Sequence, residues 1–302
     1  MTLPQPMLRW AGGKRQLLKI LTASFPNDFD LSKNTYFEPF LGSGALFFAF
    51  ASFLTPSQLL AINPRSNSFV LSDTNKELIN FYTVVRNNPD LLIETLMKMA
   101  NKKSELDYYQ VRGSAPQNKV EKAARLLYLN RLCFNGLYRV NSRGEFNVPF
   151  GRLKNPVICN SQQILACSSW LKNSKLKAES FGRAVQKAKR GDLAYFDPPY
   201  IPLSDTSSFS SYAKEGFGEN DQRELAQTIE DLTKKQVNVI LSNSDTPQSR
   251  KIFGNLTLFS ISANRSISAA GGSRKRVQEL IGINFPVPQM RNPLLMKQFE
   301  LY

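Results

Sequence analysis

The chain has 302 residues, 42% of them hydrophobic, enough for one large folded unit or two modest ones. Its formal net charge of +15 points to a polyanionic partner such as nucleic acid or to an anionic membrane surface. With no histidine at all, Ser-His-Asp and Cys-His nucleophilic catalysis, histidine metal ligation and imidazole acid–base chemistry are excluded.

In chain order, residues 15–25 read as a short helix after the turn Gly12-Gly13. Residues 35–39 read as a strand, 41–44 as a glycine turn and 45–54 as a buried helix, a strand–turn–helix unit of the nucleotide-binding kind. Residues 55–67, rich in Pro, Ser and Asn, read as a surface loop. A second strand over 68–72 ends at Asp73, and a helix follows from 75 to 86. Periodicity predicts helices over 88–99 and 119–131, with a polar, weakly patterned stretch between them. Residues 134–150 interleave Gly, Asn, Arg and aromatics as a β-hairpin or an extended loop would. Further strands are expected at 175–180, 191–196, 237–243, 256–262 and 278–284, with helices over 184–190 and 221–235. The expected architecture is an α/β, Rossmann-like sheet, with residues 1–84 and 186–302 forming the catalytic part. A mostly helical insert over 85–185 carries the hairpin at 134–152. The longest apolar stretch falls well short of the ~20 residues that span a bilayer, so no membrane role is expected. Cys133, Cys159 and Cys167 include no CxxC pair, which suggests neither a disulfide framework nor a cysteine zinc site. A reducing cytoplasm, no metal and a monomer are the plain expectations.

Chemistry concentrates in a few motifs. Asp197-Pro198-Pro199-Tyr200 follows the strand ending at Phe196 and so lies where open α/β sheets bind ligands. An aromatic amine is a poor nucleophile, because its lone pair is delocalised into the ring. Acceptors on its two hydrogens, from Asp197 and the Pro198 carbonyl, favour a pyramidal nitrogen, and Tyr200 offers a face for a flipped base. The plainer reading is a proline turn closing a strand. In Glu38-Pro39-Phe40-Leu41-Gly42-Ser43-Gly44, glycines after a strand let the backbone approach a ligand, although the third glycine of a dinucleotide fingerprint is missing. Asp73 stands where an acid binds ribose hydroxyls, or where it serves the next helix start. Trp10 suits a cation–π contact with a sulfonium, and Lys14 suits a carboxylate. Arginines and aromatics on the hairpin suit DNA, and the basic stretch 264–276 suits phosphates.

Taken together, these motifs resemble the Dam-type family of DNA adenine methyltransferases over residues 8–284. The ordered set is Trp10-Ala11-Gly12-Gly13-Lys14, Glu38-Pro39-Phe40-Leu41-Gly42-Ser43-Gly44, the acidic strand end Asp73, the run from Arg143 to Gly151, Asp197-Pro198-Pro199-Tyr200, and Asn264-Arg265-Ser266-Ile267-Ser268. The resemblance implies methyl transfer from S-adenosylmethionine to adenine in double-stranded DNA, within GATC in Dam members. It implies that Trp10, Lys14, Phe40, Asp73 and Asp197 line the cofactor site beside the turn of Glu38, Gly42 and Gly44, and that Asp197, Pro198 and Tyr200 hold the adenine. Arg9, Leu137, Arg139 and Pro149 match positions that face bases, and Phe134 matches the residue that inserts into the stack. Asn135 and Arg152 support that contact, and Arg265 and Ser266 sit near phosphates. Leu153 departs from the tyrosine common at its position, and 55–67 is longer than the usual connection. Each cysteine follows a residue other than proline, which disfavours cysteine-nucleophile cytosine methylation. The exocyclic amine of cytosine, adenine in RNA, or a catalytically silent DNA-binding protein remain as alternatives.

Overall fold

A computed structural model describes residues 2–10, 12, 14, 17–54, 68–201, 217–264, 276–286 and 300–301. The strands are β1 (Tyr36–Glu38), β2 (Phe69–Asp73), β3 (Ser174–Ala178), β4 (Leu193–Phe196), β5 (Asn238–Ser244), β6 (Thr257–Asn264), β7 (Arg276–Ile283) and β8 (Glu300–Leu301). They form one sheet in the order β3-β2-β1-β4-β5-β7-β6-β8. The five strands from β3 to β5 run parallel, and β7, β6 and β8 are antiparallel. This is a Rossmann-like sheet with an antiparallel extension at one edge. The strands β1 and β4 are buried at every residue, as the centre of a doubly covered sheet requires. From β1 the chain moves outward to β2 and β3, then returns to the opposite side of β1 for β4 and β5. The loops after β1 and β4 therefore part at the carboxyl end of the sheet, which opens a crevice there.

The helices are α1 (Leu18–Ala23), α2 (Ala45–Phe53), α3 (Lys76–Asn87), α4 (Pro89–Met99), α5 (Glu105–Gly113), α6 (Lys119–Leu132), α7 (Ser161–Leu171), α8 (Phe181–Ala184), α9 (Glu219–Lys234) and α10 (Pro247–Ile252). Helix α3 starts where the Asn75 side chain accepts the Glu77 and Leu78 amides. It buries Leu78, Ile79, Phe81, Tyr82, Val84 and Val85, more than one face, because it lies between the sheet and the helical part. From that part Trp170 reaches back, stacking near Phe47 and Phe69 and donating its indole N–H to the Phe47 carbonyl at 3.1 Å. One core thus runs unbroken through both.

Several elements differ from expectation. The first helix, read as 15–25, is described over Leu18–Ala23. The helix expected at 184–190 is a short turn over Phe181–Ala184, because Asp192 captures the chain. Its carboxylate accepts the Lys189 amide at 2.9 Å and the Thr35 amide at 2.8 Å, competing with helical bonds. The polar stretch between 99 and 119 contains α5, started by a Ser104–Asp107 capping box, and only Tyr108 of it is buried. Helix α7 was also unforeseen. Strand β3 pairs with β2 at the sheet edge, so the sheet takes a strand from inside the 85–185 span. Residues 55–67 lie outside the described ones. Among the described residues, no helix is long and apolar enough to cross a membrane.

Candidate active site and recognition hairpin

The loops leaving β1 and β4 bring buried charges together. Asp197 follows β4, and its Oδ1 is 3.1 Å from Lys14 Nζ and accepts the Ser242 hydroxyl of β5 at 2.8 Å. The Tyr195 hydroxyl lies 3.0 Å from that of Ser242, so tyrosine, serine and aspartate form a chain. Lys14 is 5% exposed, and its ammonium also meets the Gly12 carbonyl at 2.9 Å and the Tyr200 ring at 4.1 Å from the centroid. Glu279, on antiparallel β7, completes the cluster. It accepts the Tyr200 hydroxyl at 2.9 Å and lies 3.9 Å from Lys14 Nζ. Burial pushes the Asp197 carboxyl above the usual range, while the Lys14 ammonium and the Ser242 and Tyr200 hydroxyls oppose the shift.

Residues 197–201 are held rigidly. The Pro199 carbonyl accepts from Gln222 at 2.9 Å, and Asn243 and Ser244 bind the backbone of Ile201 on both sides. Pro198 is buried, and among the described residues none donates to its carbonyl. Two prolines cannot donate, so the segment's polarity here is acceptor only.

The glycine turn forms the neighbouring wall. Gly42 and Gly44 have φ of 48° and 66°, the left-handed region that favours glycine. A Cβ on Gly42 would lie 3.0 Å from the Trp10 indole, so Trp10 packs directly on the turn. Asp73 braces it from β2, accepting the Gly42 amide at 3.1 Å and the Asn75 amide at 2.9 Å. Burial raises the Asp73 carboxyl, against those amides. Glu38, 3% exposed, accepts the Tyr36 hydroxyl at 2.9 Å. Burial pushes its carboxyl up to about 8; the Tyr36 hydroxyl opposes this and the Asp197 charge adds to it. Half-buried Phe40 stacks on Phe181 at 5.6 Å and meets Phe196 and Phe217 edge-on. Trp10, Lys14, Glu38, Phe40, Gly42, Gly44, Asp73, Asp197, Pro198 and Tyr200 thus come from the segments around one crevice.

The expected hairpin folds back on itself, but with two isolated bridges, Cys133↔Phe150 and Val140↔Phe146, in place of paired strands. Asn135 and Gly136 hold positive φ of 54° and 64° in a single 3-10 turn, which interrupts the ladder. Asn130, fully buried at the end of α6, ties this turn to the start of the chain. It accepts the Arg9 amide at 2.8 Å and donates to the Arg9 and Gly136 carbonyls at 2.8 and 3.0 Å. A Cβ on Gly136 would lie 2.3 Å from Arg9 Cδ, so only glycine fits beneath Arg9. Arg9, Phe134, Asn135, Arg139, Pro149 and Arg152 are all exposed, whereas Leu137 is half-buried against the core. Arg139 Nε donates to Asn147 at 2.7 Å, and Arg152 lies 3.7 Å from Glu105. Arg265 and Ser266 fall outside the described residues.

Sequence reasoning passed over Ser242, Glu279, Asn130 and the partner of Trp10, which is Tyr138. The Trp10 and Tyr138 rings stack at 4.8 Å with 24° between planes. Asn130 interrupts the apolar run Leu126-Leu127-Tyr128-Leu129, and that polar residue was the available signal; Ser242 and Glu279 lie among other polar residues and carry none. Among the described residues, no group of three or more Asp, Glu or Cys side chains is arranged to hold a metal.

Residues 10–267 match the family of D12 class N6 adenine-specific DNA methyltransferases. A Type II methyltransferase of Lactococcus lactis subsp. cremoris, M1.LlaDCHI, is 41% identical over 93% of this chain and 95% of its own length. The Type II methyltransferase M.MjaIII of Methanocaldococcus jannaschii is 36% identical over 93% and 99%. The DNA adenine methylase of Escherichia coli K12 is 33% identical over 92% and 95%. With the acid–proline–proline–tyrosine loop at the sheet's carboxyl end, the glycine turn beside it and this match across most of its length, the chain belongs to the D12 class N6 adenine-specific DNA methyltransferase family.

Proposed function

We propose that this chain transfers the methyl group of S-adenosylmethionine to the N6 amine of an adenine flipped out of duplex DNA, within GATC. The observation that carries this reading is the division of labour at Asp197. Its Oδ1 takes both Lys14 and Ser242, which orients the carboxylate, and this carboxylate and the Pro198 carbonyl are the acceptors offered to the two hydrogens of an amine. Held that way, the nitrogen becomes pyramidal and its lone pair is localised, facing the methyl donor. The Tyr200 ring, fixed by its bond to Glu279, supplies the face for the flipped base.

The crevice suits the donor. The left-handed turn at Gly42 and Gly44, with Trp10 packed on Gly42, forms one wall, and Asp73, which accepts the Gly42 and Asn75 amides, is the acid offered to the ribose hydroxyls. The Trp10 ring and the Asp197 carboxylate make the surroundings electron-rich, as a sulfonium requires. When bound, the donor would supply an electrophilic methyl, its sulfur–methyl bond breaking as the carbon–nitrogen bond forms and S-adenosylhomocysteine leaving as a neutral thioether. As the new C–N bond forms, positive charge appears on the amine, and Asp197 is placed to stabilise it and to accept the proton that leaves. The Lys14 ammonium opposes the upward pull of burial on that carboxyl.

On this reading the sheet and its flanking helices, residues 1–84 and 186–302 together with β3, are catalytic. The helices α4 to α7 and the hairpin within 85–185 read the DNA. Arg9, Leu137, Arg139 and Pro149 face bases, with Asn135 and Arg152 in support. The exposed ring of Phe134 enters the stack, and Arg265 and Ser266 contact phosphates. The test is transfer from labelled S-adenosylmethionine to duplexes with GATC or a scrambled site. Methyladenine only in the GATC duplex is expected. Equal label in both would remove the site assignment. Turnover by Asp197→Ala equal to wild type would remove the role of Asp197.

A further inference from the structure

On the reading proposed above, we infer that Tyr138 is a positioning residue that couples occupancy of the methyl-donor crevice to DNA binding by the hairpin. Its side chain touches both regions. One end of its ring stacks on Trp10 at 4.8 Å and 24°, and Trp10 packs on Gly42 closely enough that a Cβ there would lie 3.0 Å away. The ring also meets Phe146, on the returning limb of the hairpin, edge-on at 5.8 Å. Its hydroxyl donates to Glu77 at 2.9 Å, in the first turn of α3 just after Asp73. Glu77 in turn faces Arg125 of α6 at 3.6 Å, and Arg125 binds the carbonyls of Val111 and Arg112 at the end of α5.

Tyr138 stands beside Arg139 and four residues after Phe134, so a shift of its ring moves the DNA-facing residues. A ligand seated on the glycine turn fixes the indole, and the fixed indole gives Tyr138 a fixed platform. The ordering of the hairpin base is then already met when DNA arrives. Linkage makes the effect reciprocal, so DNA tightens the donor by the same factor. A core position would need only apolar bulk. The stack plus the hydroxyl–carboxylate bond fix orientation as well.

The experiment measures binding of the duplex that the transfer assay identifies as substrate, by fluorescence anisotropy, with and without saturating S-adenosylhomocysteine. Tyr138→Phe, Tyr138→Leu and Tyr138→Ala are compared with wild type, all checked for native melting. Wild type binds the duplex more tightly with S-adenosylhomocysteine present. The leucine and alanine variants lose about twofold to tenfold of that enhancement, the range expected for one aromatic pair, while binding S-adenosylhomocysteine alone as before. Phenylalanine keeps most of it. Leucine fills the space without a ring, so it answers the question if alanine does not fold. An unchanged enhancement in Tyr138→Leu overturns the inference. So does a wild type that binds S-adenosylhomocysteine in calorimetry but gains no DNA affinity. Failure of wild type to bind S-adenosylhomocysteine at all would sink the underlying reading of the crevice instead.

Discussion

Replacing Asn130 by Ala removes three hydrogen bonds at one buried point, two to Arg9 and one to Gly136. Each is worth about 1 kcal/mol net, and the groups left behind cost more where water cannot reach them. Arg9 is exposed, so its amide and carbonyl regain some hydration, whereas the Gly136 carbonyl lies under buried backbone. The expected loss is about 2–4 kcal/mol, read as a lower urea midpoint with unchanged slope. Asn130→Asp is the sharper probe. It keeps the acceptor for the Arg9 amide but loses both donors and sets a carboxylate against two carbonyls. Burial raises that carboxyl's folded pKa, so the stability it allows is present at low pH and lost as pH rises through that value. At pH 7 the aspartate variant should be less stable than the alanine variant, and near pH 4 the order should reverse. Either variant frees Arg9 from the hairpin, so discrimination between GATC and single-mismatch sites should fall along with stability. A loss below about 1 kcal/mol with discrimination intact would refute the view that Asn130 holds the recognition surface together.

Other expectations follow from the site. Glu38→Gln should be least harmful at high pH. The Glu38 carboxyl, raised to about 8 by burial, binds a proton in the folded state that the unfolded chain releases, so its contribution falls as pH rises from about 4.5 to 8. Parallel stability–pH curves for the variant and wild type would dismiss this. Glu279→Leu releases the Tyr200 hydroxyl from a charged acceptor and should cost about tenfold in kcat/KM; an unchanged value would mean Tyr200 needs no anchor. Gly136→Ala combines positive φ with a clash against Arg9, and should lose about 1–3 kcal/mol in chemical denaturation. A stabilised variant would contradict the observed turn.

What the sequence disclosed and what it hid have physical reasons. The strands around the crevice were legible because buried parallel strands are short apolar runs, and the turns after them carry Gly and Pro. The pairing of Lys14 with a carboxylate was anticipated from charge, but not which carboxylate, since Lys14 and Asp197 meet only through the order of strands. Helix α5 was missed because it buries one residue, leaving a capping box in place of periodicity. Of the β-hairpin and the extended loop that residues 134–150 allow, the backbone geometry at Asn135 and Gly136 favours a looped segment closed by isolated bridges. Ser242 and Glu279 act at a distance in sequence from everything they touch, which no local pattern reports.

The position of β7 has a consequence for how the protein comes into being. This strand follows β6 in the chain yet lies between β5 and β6, and its register pairs Glu279 with Ser244. Until residues 276–283 leave the ribosome, β5 presents the sequence Asn-Val-Ile-Leu-Ser-Asn-Ser as an unpaired apolar edge, open to pairing with another chain. The same insertion delivers the glutamate that anchors Tyr200. A slip of one residue would turn it to the opposite face. Protection from aggregation during synthesis and completion of the crevice therefore arrive in a single late event.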